Sequence, residues 1–313
     1  MRKILILGGT GFIGQYLIND LLKDSDNIII CISRRKDFLK LLHNSRILYI
    51  QSDYSKDHLS QIIRENEIDS VIHLGSSIPS NYQEEISFEE ECISGIDMAN
   101  EIFNICKNSS IYNVVFASSI AVYGDKKIKD EKNFEENNVL EPVSIYGVAK
   151  ASIELIAGYY NTHYGMHIKS LRIGQVFGAR RSVKNQFLKM LEDKCNKKEP
   201  ITIYGKGITS QDYVYIKDVT QGIIKAIIHE NVGGVFNIGI GRQVSIRELA
   251  ESYCIGFENN AGIELLSNKK ETIHFNGMDI TKAKNILGYF PQYSLVTACK
   301  EMAKLYSEGN VFI

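Results

Sequence analysis

Apolar residues in this chain fall into short unbroken runs separated by stretches in which apolar positions recur every three or four residues. The runs lie at residues 4–7, 28–32, 47–50, 71–74, 114–117 and 168–173. Unbroken runs, in contrast to an apolar–polar alternation, predict strands buried on both faces, as in a parallel sheet. Between them, residues 12–22, 94–107 and 145–160 have helical spacing. Strands alternating with helices predict an α/β chain with a doubly wound parallel sheet, whose ligand lies beyond the carboxyl ends of the strands. After about Gly178 the rhythm changes. Helical segments at 186–193, 219–229 and 245–253 are separated by short strands, which predicts a smaller C-terminal α/β cap.

The turn after the first strand carries the first chemistry. Gly8-Gly9-Thr10-Gly11-Phe12-Ile13-Gly14 has G-x-x-G-x-x-G spacing, with a strand before it and a helix after it. Gly8 permits the tight turn, Gly11 lets a pyrophosphate approach the backbone, and Gly14 lets helix and strand pack closely. The helix N-terminus then offers backbone N–H groups to phosphate. Residues 1–177 therefore read as a dinucleotide-binding Rossmann domain, with 205–240 partly returning to it. Residues 178–204 and 241–313 read as a substrate-binding domain. The second strand ends in Ser33-Arg34-Arg35, where an NAD site commonly carries a carboxylate for the ribose hydroxyl. Two guanidiniums suit a 2′-phosphate, so this end leans towards NADP(H) and leaves NAD(H) open. Asp53, closing the third strand, is a candidate partner for the adenine amino group, or a turn aspartate.

Tyr146 and Lys150 stand four residues apart, one helical turn, so their side chains share a face. A free tyrosine titrates near ~10. A neighbouring ammonium stabilises the phenolate and makes it a base suited to an alcohol proton. Ser119, at the carboxyl end of the fifth strand, is a third candidate, with Ser118 beside it.

Bulk properties exclude other classes. The 313 residues are 44% apolar and 23% charged, ordinary for a globular protein. A net charge of -1 gives no global field for nucleic acid or anionic membrane, and no apolar run approaches a membrane span. The six cysteines are scattered without a C-x-x-C, so no metal site or redox pair is indicated, and a reducing cytoplasm is expected.

With the glycine motif, Ser119, Tyr146 and Lys150, the chain resembles the extended short-chain dehydrogenase/reductase family, in its nucleotide-sugar epimerase and dehydratase branch. The likeness includes His73-Leu74-Gly75, Leu171-Arg172, Asp212-Tyr-Val-Tyr-Ile-Lys-Asp218 and Phe236-Asn-Ile-Gly239. It implies that Tyr146 takes a proton from a sugar hydroxyl as hydride leaves the same carbon for the nicotinamide. Lys150 would lower the tyrosine pKa and bind the nicotinamide ribose, and Ser119 would hydrogen-bond the reacting oxygen. The cofactor surface is expected to include Thr10, Phe12, Ile13, Tyr54, Leu74, Gly75, Ser76, Gln175 and Val176. The substrate surface is expected to include Ser77, Ser119, Gln175, Tyr204 and Gln211. The resemblance also implies a homodimer built on the helices at 94–107 and 145–160.

The chain departs from that branch in three places. Sugar dehydratases carry an acidic pair immediately after the catalytic Ser/Thr, whereas Ile120 and Ala121 follow Ser119. Dehydration is therefore disfavoured, and hydride exchange at one carbon, C4, is expected. Gln175 stands where Asn is common, and Gln211 where Arg is common. Losing that arginine removes a charge-assisted contact to the nucleotide diphosphate. Arg180, Arg181 and Lys184 are nearby substitutes, or simply a solvated helix start. A 4-epimerase is the leading reading, and a 4-keto reductase or 4-dehydrogenase the alternative.

Overall fold

The computed structural model describes residues 2–34, 44–75, 88, 92–126, 132–179 and 185–309. Its first strand, β1 (Arg2–Leu7), is followed by α1 (Phe12–Leu21), β2 (Asn27–Ser33), β3 (Ile47–Gln51) and α2 (Lys56–Asn66). Next come β4 (Ser70–His73), α3 (Ser94–Asn108), β5 (Asn113–Ser119), α4 (Ile145–Tyr164) and β6 (His167–Ile173). The remaining elements are β7 (Gln175–Phe177), α5 (Gln186–Asn196), β8 (Ile201–Tyr204), β9 (Ser210–Gln211), β10 (Tyr213–Tyr215), α6 (Ile216–Ile228) and β11 (Gly234–Ile238). The chain then forms β12 (Val244–Ser245), α7 (Ile246–Gly256), β13 (Ile263–Leu266), β14 (Phe275–Asn276) and α8 (Leu295–Ser307).

The main sheet has seven strands in the order β11-β6-β5-β4-β1-β2-β3, all parallel. The expected doubly wound sheet is thus present. The chain reverses its direction of travel between β1 and β4, and a doubly wound sheet binds its ligand at such a switch point.

Why the strands read as unbroken apolar runs is visible in the packing. Ile4 and Ile6 of β1 join the core formed with α1 and α6, while Leu5 and Leu7 join the core formed with α2, α3 and α4. Successive side chains of β1 thus alternate between these two cores. Burying each such residue is worth roughly 1.5–3 kcal/mol. Cys92 is buried as well.

Outside the main sheet, β8 and β13 pair in parallel, β7 pairs with β10, and β9 lies between β12 and β14. Tyr253 of α7, Leu191 of α5 and Met302 of α8 share a third core with Tyr16 and Phe177. The helix expected over 219–229 begins earlier, as α6, and packs against α1 and the main sheet. The helix α8, which apolar spacing alone did not mark, packs on α7. No helix among the described residues is long and apolar enough to cross a membrane.

Candidate active site

The turn between β1 and α1 has the form its glycines suggest. Gly8 sits at φ 82°, and a Cβ there would lie 2.9 Å from the backbone nitrogen of Gly75, just beyond β4. A Cβ on Gly14 would lie 2.5 Å from the Gly8 carbonyl oxygen, so only glycine lets α1 pack this tightly on the turn. Gly11 is the N-cap of α1, which has no side-chain capping bond and no acidic residue in its first turn. Such a helix start fits an anionic pyrophosphate. The cradle therefore suits a dinucleotide, with Gly8, Gly11, Phe12, Ile13 and Gly14 at its base.

The end of β2 meets that cradle through Ser33. Thr10 and Ser33 are buried and share a hydroxyl–hydroxyl bond of 2.9 Å. The Tyr54 hydroxyl donates to the Ile32 carbonyl at 3.2 Å. Arg34 is exposed, and no carboxylate ends this strand. The exposed Asp53 carboxylate accepts the Ser55 backbone N–H at 2.9 Å, the bond of a turn. That bond holds the Asp53 carboxyl below its usual value. Leu74 is tied to β1 through its N–H to the Leu7 carbonyl. Gln175 donates its backbone N–H to the Asp212 carbonyl at 2.8 Å, and Val176 packs between two cores. Arg35, Ser76, Ser77, Arg180, Arg181 and Lys184 lie outside the described residues.

The helix α4 positions the base candidates. The Ser144 hydroxyl caps its start by accepting the Gly147 N–H at 3.1 Å. A Cβ on Gly147 would come within 2.5 Å of the Ala121 carbonyl oxygen, so this glycine brings the turn bearing Tyr146 against the segment that follows Ser119. Tyr146 is half-buried. Lys150 is 3% exposed, and its ammonium lies 5.6 Å from the Tyr146 ring centroid and 4.5 Å from that of Phe116. It donates to the Ala117 carbonyl at 2.7 Å. Burial pushes the Lys150 ammonium down to about 7, against the attraction of Glu154.

Strand alternation separates the two serines of β5. Ser118 is buried and donates to the Glu154 carboxylate. Ser119 is half-buried, and its hydroxyl accepts the Ala121 N–H at 3.2 Å, capping a short 3-10 turn over Ile120–Tyr123. The positions that would hold the acidic pair, Ile120 and Ala121, are in that turn.

The cap supplies a different kind of group. Gln211 pairs through its amide nitrogen with the imidazole Nε2 of His274 at 2.7 Å. The register of β9 with β14 sets this pair, since Gln211 stands opposite Asn276 and the Ser210 N–H donates to the His274 carbonyl. Tyr204 ends β8 with its side chain 60% exposed. Neither His274 nor Glu154 is marked by spacing along the chain, because Gln211 is 63 residues from His274, and Ser118 and Arg172 are 36 and 18 residues from Glu154.

A parallel sheet with a glycine-lined phosphate cradle, a Tyr-x-x-x-Lys turn and a strand-end serine defines a nicotinamide-dependent sugar-nucleotide enzyme. The chain belongs to the NAD dependent epimerase/dehydratase family, which it matches over residues 4–239. It is 29% identical to the uncharacterized UDP-glucose epimerase YtcB of Bacillus subtilis, over 94% of each chain. Its fold is similar to that of UDP-N-acetylglucosamine 4-epimerase from Bacillus cereus, with a TM-score of 0.86 and 27% identity over 98% of this chain and 100% of that one. It is also similar to UDP-glucuronic acid 4-epimerase from Bacillus cereus, solved with UDP-glucuronic acid and NAD, with a TM-score of 0.83 and 26% identity over 98% of this chain and 99% of that one.

Proposed function

We propose that this chain is a UDP-sugar 4-epimerase. Tyr146 takes the proton from the C4 hydroxyl, Lys150 stabilises the phenolate, and Ser119 donates to the reacting oxygen. A bound nicotinamide dinucleotide supplies the hydride acceptor. The residues at 8–14, with Thr10, Ser33, Tyr54, Leu74, Gly75, Gln175, Val176 and Lys150, hold and orient it. The observation that carries the reading is the pair Ile120 and Ala121, in a chain similar end to end to 4-epimerases. Neither residue can transfer a proton, so the 4-keto sugar is not dehydrated and hydride returns to the same carbon.

Arg34 favours a second reading. The β2 end has an exposed guanidinium and no carboxylate among its described residues. NADP(H) suits that end, and a reductase or dehydrogenase making net use of cofactor follows from it. The family itself is NAD dependent. One experiment separates the two. Purified protein is incubated with UDP-glucose, UDP-N-acetylglucosamine or UDP-glucuronic acid and either cofactor. Chromatography follows the epimer, and nicotinamide absorbance follows the cofactor. An epimer formed with no net absorbance change supports the first reading. Consumption of one cofactor per product overturns it.

We further propose a homodimer, because α4, which packs on α3, leaves Leu155 72% and Tyr159 52% exposed. A contiguous apolar face of this kind marks a protein interface.

A further inference from the structure

Directly beneath the candidate base lies a buried ionic cluster. Glu154 is one turn beyond Lys150 on α4 and 5% exposed. Its carboxylate receives Arg172 of β6 in a forked pair, from Nη2 at 2.7 Å and from Nε at 3.1 Å, and it also accepts the Ser118 hydroxyl. The β5–β6 register explains the meeting, since Ser118 stands directly opposite Arg172. On its other side the guanidinium stacks 4.6 Å from the Tyr123 ring and donates to the Glu136 carbonyl at 3.1 Å. Tyr123 in turn bonds Asn237, whose backbone N–H donates to the Glu136 carboxylate.

Groups from α4, β4, β5 and β6 surround Lys150. Tyr146 and Glu154 face it from α4. His73 faces it from β4, and burial holds that imidazole neutral, with a pKa lowered to about 3. From β5 come the Ala117 carbonyl and the Phe116 ring. Arg172 lies behind Glu154, with Tyr123 and Glu136 beyond it. In this set Lys150 and Arg172 are cations, Glu154 is the carboxylate paired with Arg172 one turn from Lys150, and the Glu136 carboxylate lies further off on the Asn237 N–H.

We propose that Glu154 is a positioning residue for the proton transfer: its buried charge keeps Lys150 an ammonium beside Tyr146. The inference rests on the Tyr146–Lys150 reading of the site. Without an anion at position 154, two buried cations are left to share one dry pocket, and the one able to lose its proton is Lys150. A neutral amine no longer stabilises the phenolate, so the Tyr146 pKa rises. The direct effect of removing the carboxylate runs the other way, because it takes a negative charge away from the phenolate. Distance decides between them. Glu154 is two turns from Tyr146, about 12 Å along the axis. The ammonium is 5.6 Å from the ring, so its loss dominates.

The test is a pH titration of tyrosinate absorbance with saturating NAD, which needs no sugar substrate. Wild type and Glu154→Gln are each read as a difference against the same protein carrying Tyr146→Phe. The expected result is a Tyr146 midpoint raised by about one pH unit or more in Glu154→Gln, with Glu154→Asp close to wild type. A merely structural glutamate would not move this midpoint in that direction, and an unchanged or lowered midpoint overturns the proposal. If Glu154→Gln does not fold, Glu154→Gln with Arg172→Gln removes both ions; Lys150 then loses the Glu154 attraction without facing a second unpaired cation, and an upward shift smaller than that beside an unpaired Arg172 is expected. An unchanged or lowered midpoint in that double variant overturns the proposal. A wild-type Tyr146 that titrates only near ~10 overturns the base reading and this inference together. A low wild-type midpoint that Glu154→Gln leaves in place overturns this inference alone.

Discussion

The strand ends of the main sheet and the strand pairs of the cap handle polar groups in opposite ways. At the sheet, Lys150, Glu154, Arg172 and His73 are nearly sealed from water, and the first three are held by short contacts across β5, β6 and α4. In the cap, Tyr204 and Gln211 stand open or half-open, and the Gln211 amide is held by His274. A dry site amplifies each charge and fixes protonation states. A wet site contributes hydrogen bonds that can be exchanged without unfolding anything. On the proposed reading, the reaction is built into the half that tolerates little change, and substrate choice into the half that tolerates much.

The largest effect expected from this contrast is at Tyr146. Replacing it with Phe removes the base while leaving the half-buried ring in place. Epimer formation is expected to fall by about 10²–10⁴-fold, with a melting temperature close to wild type. Product analysis and thermal melting on the same preparation check both parts. An active Tyr146→Phe protein would break the contrast, because the chemistry would then lie outside the dry half.

The second effect is on stability, through His73. Its imidazole is buried against Phe116, with ring centroids 5.6 Å apart, and burial followed by the Lys150 charge lowers its pKa to about 3. In the unfolded chain the same group titrates near ~6.5. Between these values the unfolded state binds a proton that the folded state does not, so stability falls as pH falls from about 6.5 to about 3. The upper limit of this loss is roughly 4 kcal/mol. Asp212 works against it, since burial raises its carboxyl to about 6 and adds stability as pH falls from there towards ~4. Urea unfolding of His73→Phe across this range should show a shallower loss on the acid side than wild type. An identical slope would mean that this imidazole is not kept neutral.

The same contrast explains what the sequence discloses. The main sheet is legible because strands buried on both faces must be apolar throughout, as at Ile4–Leu7 within β1. The glycine cradle and the Tyr146–Lys150 turn are legible because their geometry is local, within seven and five residues. Glu154 escapes a local reading although it lies one turn beyond Lys150. Its meaning depends on Arg172 and Ser118, which the β5–β6 register brings to it. The two serines are indistinguishable by type, and only strand alternation turns Ser118 to Glu154 and leaves Ser119 at the turn. His274 is further still from view, 63 residues from Gln211 and joined to it by the short β9–β14 pairing.

The smallest effect is expected at that pair, and it is the most useful for sharpening the contrast. On the proposed reading, Gln211 stands where a charged residue would grip a diphosphate; its amide is held by His274 at 2.7 Å. A neutral hydrogen bond contributes about 1 kcal/mol, less than a charge-assisted one. Gln211→Ala should therefore raise KM for the best UDP-sugar by about fivefold and leave kcat within about twofold. Steady-state kinetics on one substrate separates the two constants. A fall in kcat instead would show that the cap pair acts on the transition state, and the division between a dry catalytic half and a wet binding half would not hold. Gln211→Arg extends the same test, since a guanidinium at this position should lower KM through a charge-assisted contact if the diphosphate lies here. An unchanged KM in both variants would place the diphosphate away from β9.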